Sequence, residues 1–175
     1  MTPFGLSYDL QIENESLAVR LLEGPRGAFW TLGQVLVSAD AFAIEVDGRI
    51  EGINDNVSFG FHPGQQDGIR FNIQPGSRQY HLFDSTGGPI VTLALATSSA
   101  IAEATAANHL RMEWRGAEVK IFLNGRLVDE TVHPLAESRP VRVGLGVGVN
   151  RTRGVRSEDG LKVLFDNFRV IPLEP

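Results

Sequence analysis

The sequence predicts an all-β protein, an antiparallel β-sandwich that forms one domain over residues 1–175. Apolar and polar residues alternate along almost the whole chain, which is the pattern of strands with one buried face. Turn-forming residues separate about ten such segments, and helical periodicity is nearly absent. A chain of 175 residues buries roughly two-thirds of its unfolded surface, so one hydrophobic core is sufficient.

The composition excludes several classes of partner and chemistry. A net charge of −5 disfavours polyanions, which argues against nucleic acid and acidic membrane surfaces. The absence of cysteine excludes disulfides and thiolate metal ligands. Apolar segments such as Pro89–Ala96 are of strand length, and Met1–Leu10 lacks the pattern of a signal peptide. The sequence therefore predicts a soluble protein that binds neither nucleic acid nor membrane.

Alternating segments define the strands of the N-terminal half. They are Leu17–Leu21, a segment within Gly33–Ser38, Phe42–Val46, Val57–Phe61, Ile69–Gln74, Tyr80–Leu82 and Pro89–Ala96. Pro75-Gly76 predicts a tight turn, because proline fixes φ and glycine tolerates unusual backbone angles. The segment Thr97–Ala107 is rich in Ala and Ser and fits either a loop or a short helical turn.

The strongest local signal is a hairpin in the C-terminal half. Asn124-Gly125 readily takes the positive φ angles of a type I′ turn. Arg126–Val132 is therefore expected to run antiparallel to Glu118–Leu123. In the preceding strand, Trp114 alternates in phase with apolar residues and is expected to pack in the core.

The last two strands are predicted within Pro140–Asn150 and Leu161–Ile171. In the first of them, Gly144, Gly146 and Gly148 occupy one face. A face without side chains allows close approach by another chain segment or by a ligand.

Three segments resemble a known group of proteins. Asn108–Val128 is similar to the hairpin pattern N-x-L-x-V … V-x-V-Y-L-N-G-x-x-V, Val163–Val170 to V-x-F-D-N-F-x-V, and Phe42–Val46 to F-x-L-E-V. These patterns are typical of concanavalin A-like jelly rolls of the laminin G-like and 3-keto-disaccharide hydrolase-type group. The resemblance to this lectin/glucanase superfamily implies a jelly roll and an extracytoplasmic location. Because the motifs belong to hairpins and core strands, they say little about a ligand.

The main candidate site is the non-core side of the strands between Phe42 and Phe83. Its polar residues are Glu45, Asp47, Ser58, His62, Arg70, Asn72, Gln79 and His81. If these strands are neighbours, the side chains share one surface, which the resemblance makes concave. Guanidinium and amide groups suit sugar hydroxyls or carboxylates, although any outward sheet face is polar.

Sugar binding also favours an aromatic platform. Trp30, between Gly27 and Gly33 in a loop-like setting, is the preferred candidate. The alternatives are Phe83, Phe122 and Tyr80.

Glu45, Asp47 and Glu51 raise the alternative of catalysis. By resemblance, glycoside hydrolases of this superfamily carry E-x-D-x-E or E-x-D-x-x-E on one strand. Here Glu51 follows Glu45 by six positions, or about 20 Å along an extended strand. Ordinary carboxylates on an exposed strand explain the pattern as well, so Glu45 and Asp47 are catalytic candidates only in the enzyme alternative.

Oxygen ligands for calcium occur near the fourth predicted strand. Asn54, Asp55 and Asn56, together with Asp47, are of the type that Ca²⁺ accepts, and related domains often carry calcium. The spacing matches no defined calcium loop, and a turn rich in Asn and Asp explains it equally. No cofactor is therefore required, and calcium is the one candidate.

These observations predict a non-catalytic carbohydrate-binding or accessory module whose partner is a glycan. One alternative is an enzyme of the glycoside hydrolase type. The other is a structural or protein-interaction domain of a larger bacterial-type protein, with a protein partner or a second copy of the chain.

Overall fold

The computed structural model is a sandwich of two antiparallel sheets, which confirms the predicted fold class. It describes residues 7–23, 29–38, 41–52, 57–62, 69–84, 89–103, 105–133, 141–149 and 160–174. The seven-stranded sheet contains, in spatial order, β1 (Ser7–Glu13), β2 (Ser16–Glu23), β13 (Lys162–Pro172), β4 (Ala41–Glu51), β9 (Asn108–Arg115), β10 (Glu118–Leu123) and β11 (Arg126–Val132). The six-stranded sheet contains β3 (Phe29–Val37), β12 (Val141–Val149), β5 (Val57–His62), β6 (Ile69–Gln74), β7 (Gln79–Asp84) and β8 (Val91–Thr97).

The core lies between the sheets and takes alternate residues from both. Phe59 of β5 packs edge to face against Phe165 of β13, with ring centroids 5.8 Å apart. Gly48 of β4 makes this crossing possible, because a Cβ there would lie 2.2 Å from the Phe59 ring. Trp114 is 2 % exposed and stacks near Phe42, which confirms its predicted place in the core.

The turn predictions at Asn124-Gly125 and Pro75-Gly76 are confirmed. Asn124 and Gly125 have φ angles of 50° and 79°, as the predicted hairpin between β10 and β11 requires. Pro75–Ser77 forms a short 3₁₀ turn, but the left-handed residue is Arg78 with φ 52°. The predicted tight turn at Pro75-Gly76 is therefore present, with Gly76 inside the 3₁₀ turn and the left-handed angle one position after the turn ends.

The segment after β8 is a loop in its described residues. Ile101 is buried in the core, and the buried Asn108 side chain is hydrogen-bonded to the backbone of the loop. The amide oxygen of Asn108 accepts a hydrogen bond of 2.8 Å from the Ala102 N–H. This contact settles the Thr97–Ala107 segment as a loop tied to the start of β9.

The topology separates strands that are adjacent in sequence. β4 lies in the seven-stranded sheet, whereas β5, β6 and β7 lie in the six-stranded sheet. The prediction that all strands from Phe42 to Phe83 share one surface is therefore wrong. Alternation shows which side of a strand is buried, but it does not show which sheet the strand joins.

Among the described residues, no helix is long and apolar enough to span a membrane.

Candidate functional site

The outer surface of the six-stranded sheet carries the candidate site, and we call it the six-stranded face. It consists of residues that alternate with core residues on β5, β6, β7 and β12: Ser58, Gly60, Arg70, Asn72, Gln74, Gln79, His81, Phe83, Gly144, Gly146 and Gly148. Their neighbours Phe59, Phe71, Leu82 and Val147 are buried in the core. Because side chains alternate along a strand, the face residues point away from that core.

The register of the four strands brings polar groups beside a floor of glycine. Gly146 pairs with Gly60, Gly60 with Asn72, and Asn72 with His81, so these residues form one row across the sheet. A Cβ at Gly60 would lie 2.0 Å from the Phe71 carbonyl oxygen, so this position requires glycine. One end of the row is therefore bare backbone, and the other end carries Asn72 and His81.

The six-stranded face is shielded although its residues point outward. Ser58 is 4 % exposed, and Asn72 and Gln74 are each 6 % exposed. The glycines of β12 are buried as well. Polar side chains on an outward sheet face are usually solvated, so their burial makes this face a protected surface. Asn72 and Gln74 already interact with other groups of the protein.

Within the described residues, Arg70 is a cation without a protein acceptor. Its Nε is buried and has no hydrogen-bond partner. Among the residues that the structure describes, no carboxylate forms an ion pair with it. Burial lowers the pKa of the Arg70 guanidinium below its usual value, although an arginine remains charged at neutral pH. An unsatisfied buried donor costs roughly 1–3 kcal/mol, which an incoming acceptor would relieve.

On the next strand, His81 carries another buried nitrogen without a hydrogen-bond partner. Its Nε2 is buried without a hydrogen bond, and its ring packs edge to face against Phe83 at 5.7 Å. Burial lowers the pKa of His81, which favours the neutral imidazole at pH 7. Since Arg70 pairs with Phe83 in the register, Arg70 and His81 are diagonal neighbours on this face. The predicted residues Arg70, Asn72 and His81 are thus brought together.

Glu45 lies on the opposite side of the molecule from these three residues, contrary to the prediction. It points outward from β4 on the outer surface of the seven-stranded sheet, which we call the seven-stranded face. Its carboxylate accepts a hydrogen bond from Arg111, which also donates to Glu113 at 2.7 Å and 2.9 Å. The core separates this group from Arg70.

Asp47 lies beside Glu45 on the seven-stranded face and is also fully engaged. One carboxylate oxygen is 2.7 Å from His109 Nδ1, and the other accepts a hydrogen bond of 2.7 Å from the Asn167 side chain. Asn167 reaches Asp47 because β13 is irregular between Asp166 and Arg169 and Asn167 has φ 53°. The last strand is therefore bulged at Asp166-Asn167.

Several predicted residues have side chains outside the described part of the structure. His62 ends β5, opposite Gly144. Trp30 lies within β3, opposite Val147, and not in the loop-like setting expected for it. The side chains of both residues fall outside the described set.

The predicted calcium ligands Asn54, Asp55 and Asn56 also lie outside the described residues. Within the described residues, no three potential metal ligands of the His, Asp or Glu type converge. Both oxygens of Asp47 already contact protein donors. Calcium therefore stays a prediction.

The alternative aromatic residues are distributed over both sheets. Phe83 is partly exposed on the six-stranded face, whereas Phe122 is partly exposed on the seven-stranded face. Tyr80 is buried, and its hydroxyl donates to the Val128 carbonyl at 3.2 Å. Phe83 is thus the described aromatic side chain that accompanies Arg70 and His81.

Two cavities with fully described linings lie away from the six-stranded face. One is lined by Ser16, Asp47, Gly48, Arg49, Ala107, Leu164 and Asp166. The other is lined by Tyr80, Thr97, Ser98, Ser99, Arg126, Leu127 and Val128. Neither of these two cavities contains Arg70 or His81.

Sequence reasoning missed the cross-strand partners of Glu45 and Asp47. Alternation within β9 places His109 and Arg111 on its outward side. However, only the pairing of β4 with β9 sets Glu45 opposite Arg111 and Asp47 opposite His109. A strand pairing between distant segments leaves no local sequence signal.

Comparison with solved structures identifies proteins of similar fold, whereas comparison of the sequence identifies no match. No protein-family model and no curated protein sequence matches the chain. The carbohydrate-binding module CBM66 from Bacillus subtilis has a TM-score of 0.63 and 16 % identity, with 98 % of each chain covered. The potassium-bound carbohydrate recognition domain of Emp46p has a TM-score of 0.66 and 12 % identity, covering 96 % of this chain and 88 % of that one.

Sheep galectin-11 has a TM-score of 0.56 and 10 % identity, covering 84 % of this chain and 98 % of that chain. At such low identity these likenesses establish the fold alone. The fold of this chain is the concanavalin A-like jelly roll.

Proposed function

We propose that this protein is a non-catalytic carbohydrate-binding module that holds a glycan on the six-stranded face. The observation that carries the proposal is the pair of buried, unpartnered nitrogens on Arg70 and His81. Natural proteins satisfy most buried polar atoms. A third such atom, Trp114 Nε1, lies in the core, whereas these two lie on neighbouring strands of an outward face, where a ligand can complete them. A glycan offers a dense set of hydroxyl groups that both donate and accept hydrogen bonds.

The shape of the six-stranded face supports the same conclusion. Gly60 and Gly146 form a floor without side chains, and a flat sugar ring can approach such a backbone closely. Phe83 stands beside His81 and supplies an apolar surface for the C–H groups of a sugar. Polar groups, bare backbone and an aromatic ring therefore occur on one protected surface.

The similar structures add support at the level of fold. They are named as a carbohydrate-binding module, a carbohydrate recognition domain and a galectin. The first of these and this chain cover each other almost completely. A module of this size with this fold is thus a common framework for carbohydrate binding, and the ligand depends on residues specific to this chain.

The enzyme alternative finds less support. A retaining glycosidase needs two carboxyl groups about 5 Å apart that face the scissile bond. Glu45 and Asp47 are held by Arg111, His109 and Asn167 on the opposite face. Catalysis through Glu45 and Asp47 would therefore require a second glycan surface.

The proposal is tested by glycan array binding, with and without a calcium chelator, followed by amide chemical-shift mapping of the best ligand. Shifts are expected on β5, β6, β7 and β12. Phe83→Ala should weaken binding about fivefold, since one aromatic contact contributes on the order of 1 kcal/mol. Phe122→Ala is the matched control, because Phe122 is also partly exposed but lies on the seven-stranded face. Absence of any glycan binding, or shifts confined to β4 and β9, would refute the proposal.

A further inference from the structure

Acidic residues are distributed unequally between the two sheets. The described strands of the seven-stranded sheet include the acidic residues Asp9, Glu13, Glu23, Glu45, Asp47, Glu51, Glu113, Glu118, Asp129, Glu130 and Asp166. In the described strands of the six-stranded sheet the one acidic residue is Asp84. The protein as a whole has a net charge of −5, and within the described strands the acidic residues are concentrated in one sheet.

Asp84 does not contribute negative charge to the six-stranded face. It follows Phe83 on β7 and therefore belongs to the other side of the strand. Its carboxylate lies 3.8 Å from Nδ1 of His133, a buried residue that packs against Trp114. Arg70 and the exposed Arg142 thus give the described part of the six-stranded face a positive character.

A comparison with Arg111 shows what Arg70 lacks. The Arg111 side chain is 25 % exposed and is held by the carboxylates of Glu45 and Glu113. Arg70 is likewise partly buried, but no described carboxylate pairs with it. A guanidinium presents a planar array of donors that matches a carboxylate or a sulfate, and charged hydrogen bonds are roughly twice as strong as neutral ones. Without a protein acceptor to hold it, the Arg70 guanidinium can turn toward an anion from solvent.

We propose that the glycan bound on the six-stranded face is acidic and that its carboxylate or sulfate group pairs with Arg70. This inference rests on the proposed function and names the ligand class of the same site. With the anion at Arg70, the adjoining sugar lies beside Phe83 and reaches His81 Nε2 with a hydroxyl group. The glycine floor of β5 and β12 extends about 10 Å from β6, which leaves room for the chain of the glycan.

Titration calorimetry with matched ligand pairs tests the inference. The carboxylate pair is an oligogalacturonate and its methyl ester, and the sulfate pair is a sulfated galactan oligosaccharide and its desulfated form. We expect the charged member of one pair to bind at least about tenfold more tightly than its neutral partner, because one charged pair is worth about 1.5–3 kcal/mol. The pair that shows this preference identifies the anion. The preference should decrease as salt concentration rises.

Variants of two arginines on the same face locate the effect. Arg70→Met should abolish the preference for the charged ligand, so that the charged and neutral members of the pair bind this variant with similar affinity. Arg142→Met removes the same charge from an exposed position and should leave the preference unchanged. Arg70→Lys keeps the charge but loses the planar donor array, so it should restore only part of the preference.

The outcomes separate this inference from the proposed function. Equal affinity for both members of each pair, with binding still on β5 to β7, overturns the acidic ligand and leaves the carbohydrate-binding proposal intact. A preference that survives Arg70→Met, or that is independent of salt in the unmodified protein, also overturns it. If neither charged nor neutral glycans bind on this face, both proposals fail.

Discussion

Arg70 and Arg111 are both arginines that point outward, Arg70 from the six-stranded sheet and Arg111 from the seven-stranded sheet. Their hydrogen-bond partners differ. Arg111 contacts two carboxylates from its own and a neighbouring strand. Arg70 has a buried Nε with no partner. The difference shows that the seven-stranded face satisfies its polar groups internally, whereas the six-stranded face leaves some unsatisfied. Each unsatisfied buried group needs an explanation, and for Arg70 the explanation that we propose is a ligand.

The Lys162 cluster shows how completely the seven-stranded face pairs its charges. Lys162 Nζ lies 2.6 Å from Glu13 and 3.0 Å from Glu51, which links three strands. Its hydrogen bond to Glu13, followed by that to Glu51, raises the pKa of Lys162. The same contact lowers the pKa of Glu51. Both shifts favour the charged forms, so the charges of this cluster satisfy one another.

The largest expected effect concerns the glycine floor. Gly60→Ala should lower the free energy of unfolding by about 3 kcal/mol, because the new Cβ would meet the backbone of β6. Gly116→Ala is the control: Gly116 has φ 58° and open space around it, so only backbone strain of about 1 kcal/mol is expected. Chemical denaturation of both variants measures the difference. Equal losses would mean that β5 and β6 are not as closely spaced at Gly60 as the structure has them.

A smaller change in the free energy of unfolding is expected for variants of Arg70 and Arg111, and it should differ between the two. Arg111→Met should lower the free energy of unfolding by about 1–2 kcal/mol, since Glu45 and Glu113 lose their common donor. Arg70→Met removes a buried cation that has no acceptor, so stability should stay the same or rise by up to about 1 kcal/mol. Thermal and urea unfolding of both variants test this. A loss at Arg70 as large as that at Arg111 would show that Arg70 is structurally paired and would remove the contrast between the faces.

The sequence predicts the layers of this fold well because alternation and turn chemistry are local. The β10–β11 hairpin follows from Asn124-Gly125, and the core position of Trp114 follows from its phase with its neighbours. β1 escaped prediction because its turn uses Asn14 and Glu15 with positive φ, and such a pair carries no strong turn signal.

The candidate site was predicted only in part, for a different reason. Arg70, Asn72 and His81 lie on consecutive strands of one meander, so local alternation places them together correctly. Glu45 and Asp47 were misplaced because the chain passes between the sheets after β4, and that crossover depends on long-range pairing with β9 and β13. The ligand role of all these residues stays a prediction.

The smallest expected effect is the pH dependence of stability through His81. Burial lowers the pKa of this histidine in the folded state, so the unfolded chain binds the proton more readily. Its contribution to stability is therefore complete above about pH 6.5 and is lost as the pH falls below that value. His81→Gln keeps a polar side chain but cannot titrate, so its free energy of unfolding should decline less steeply from pH 7 to pH 5. Urea unfolding at several pH values gives the slope, which separates titration from any constant loss of contact with Phe83. An unchanged slope would mean that His81 is already solvated, and Arg70 would then be the one described residue of the six-stranded face with a buried, unpartnered atom.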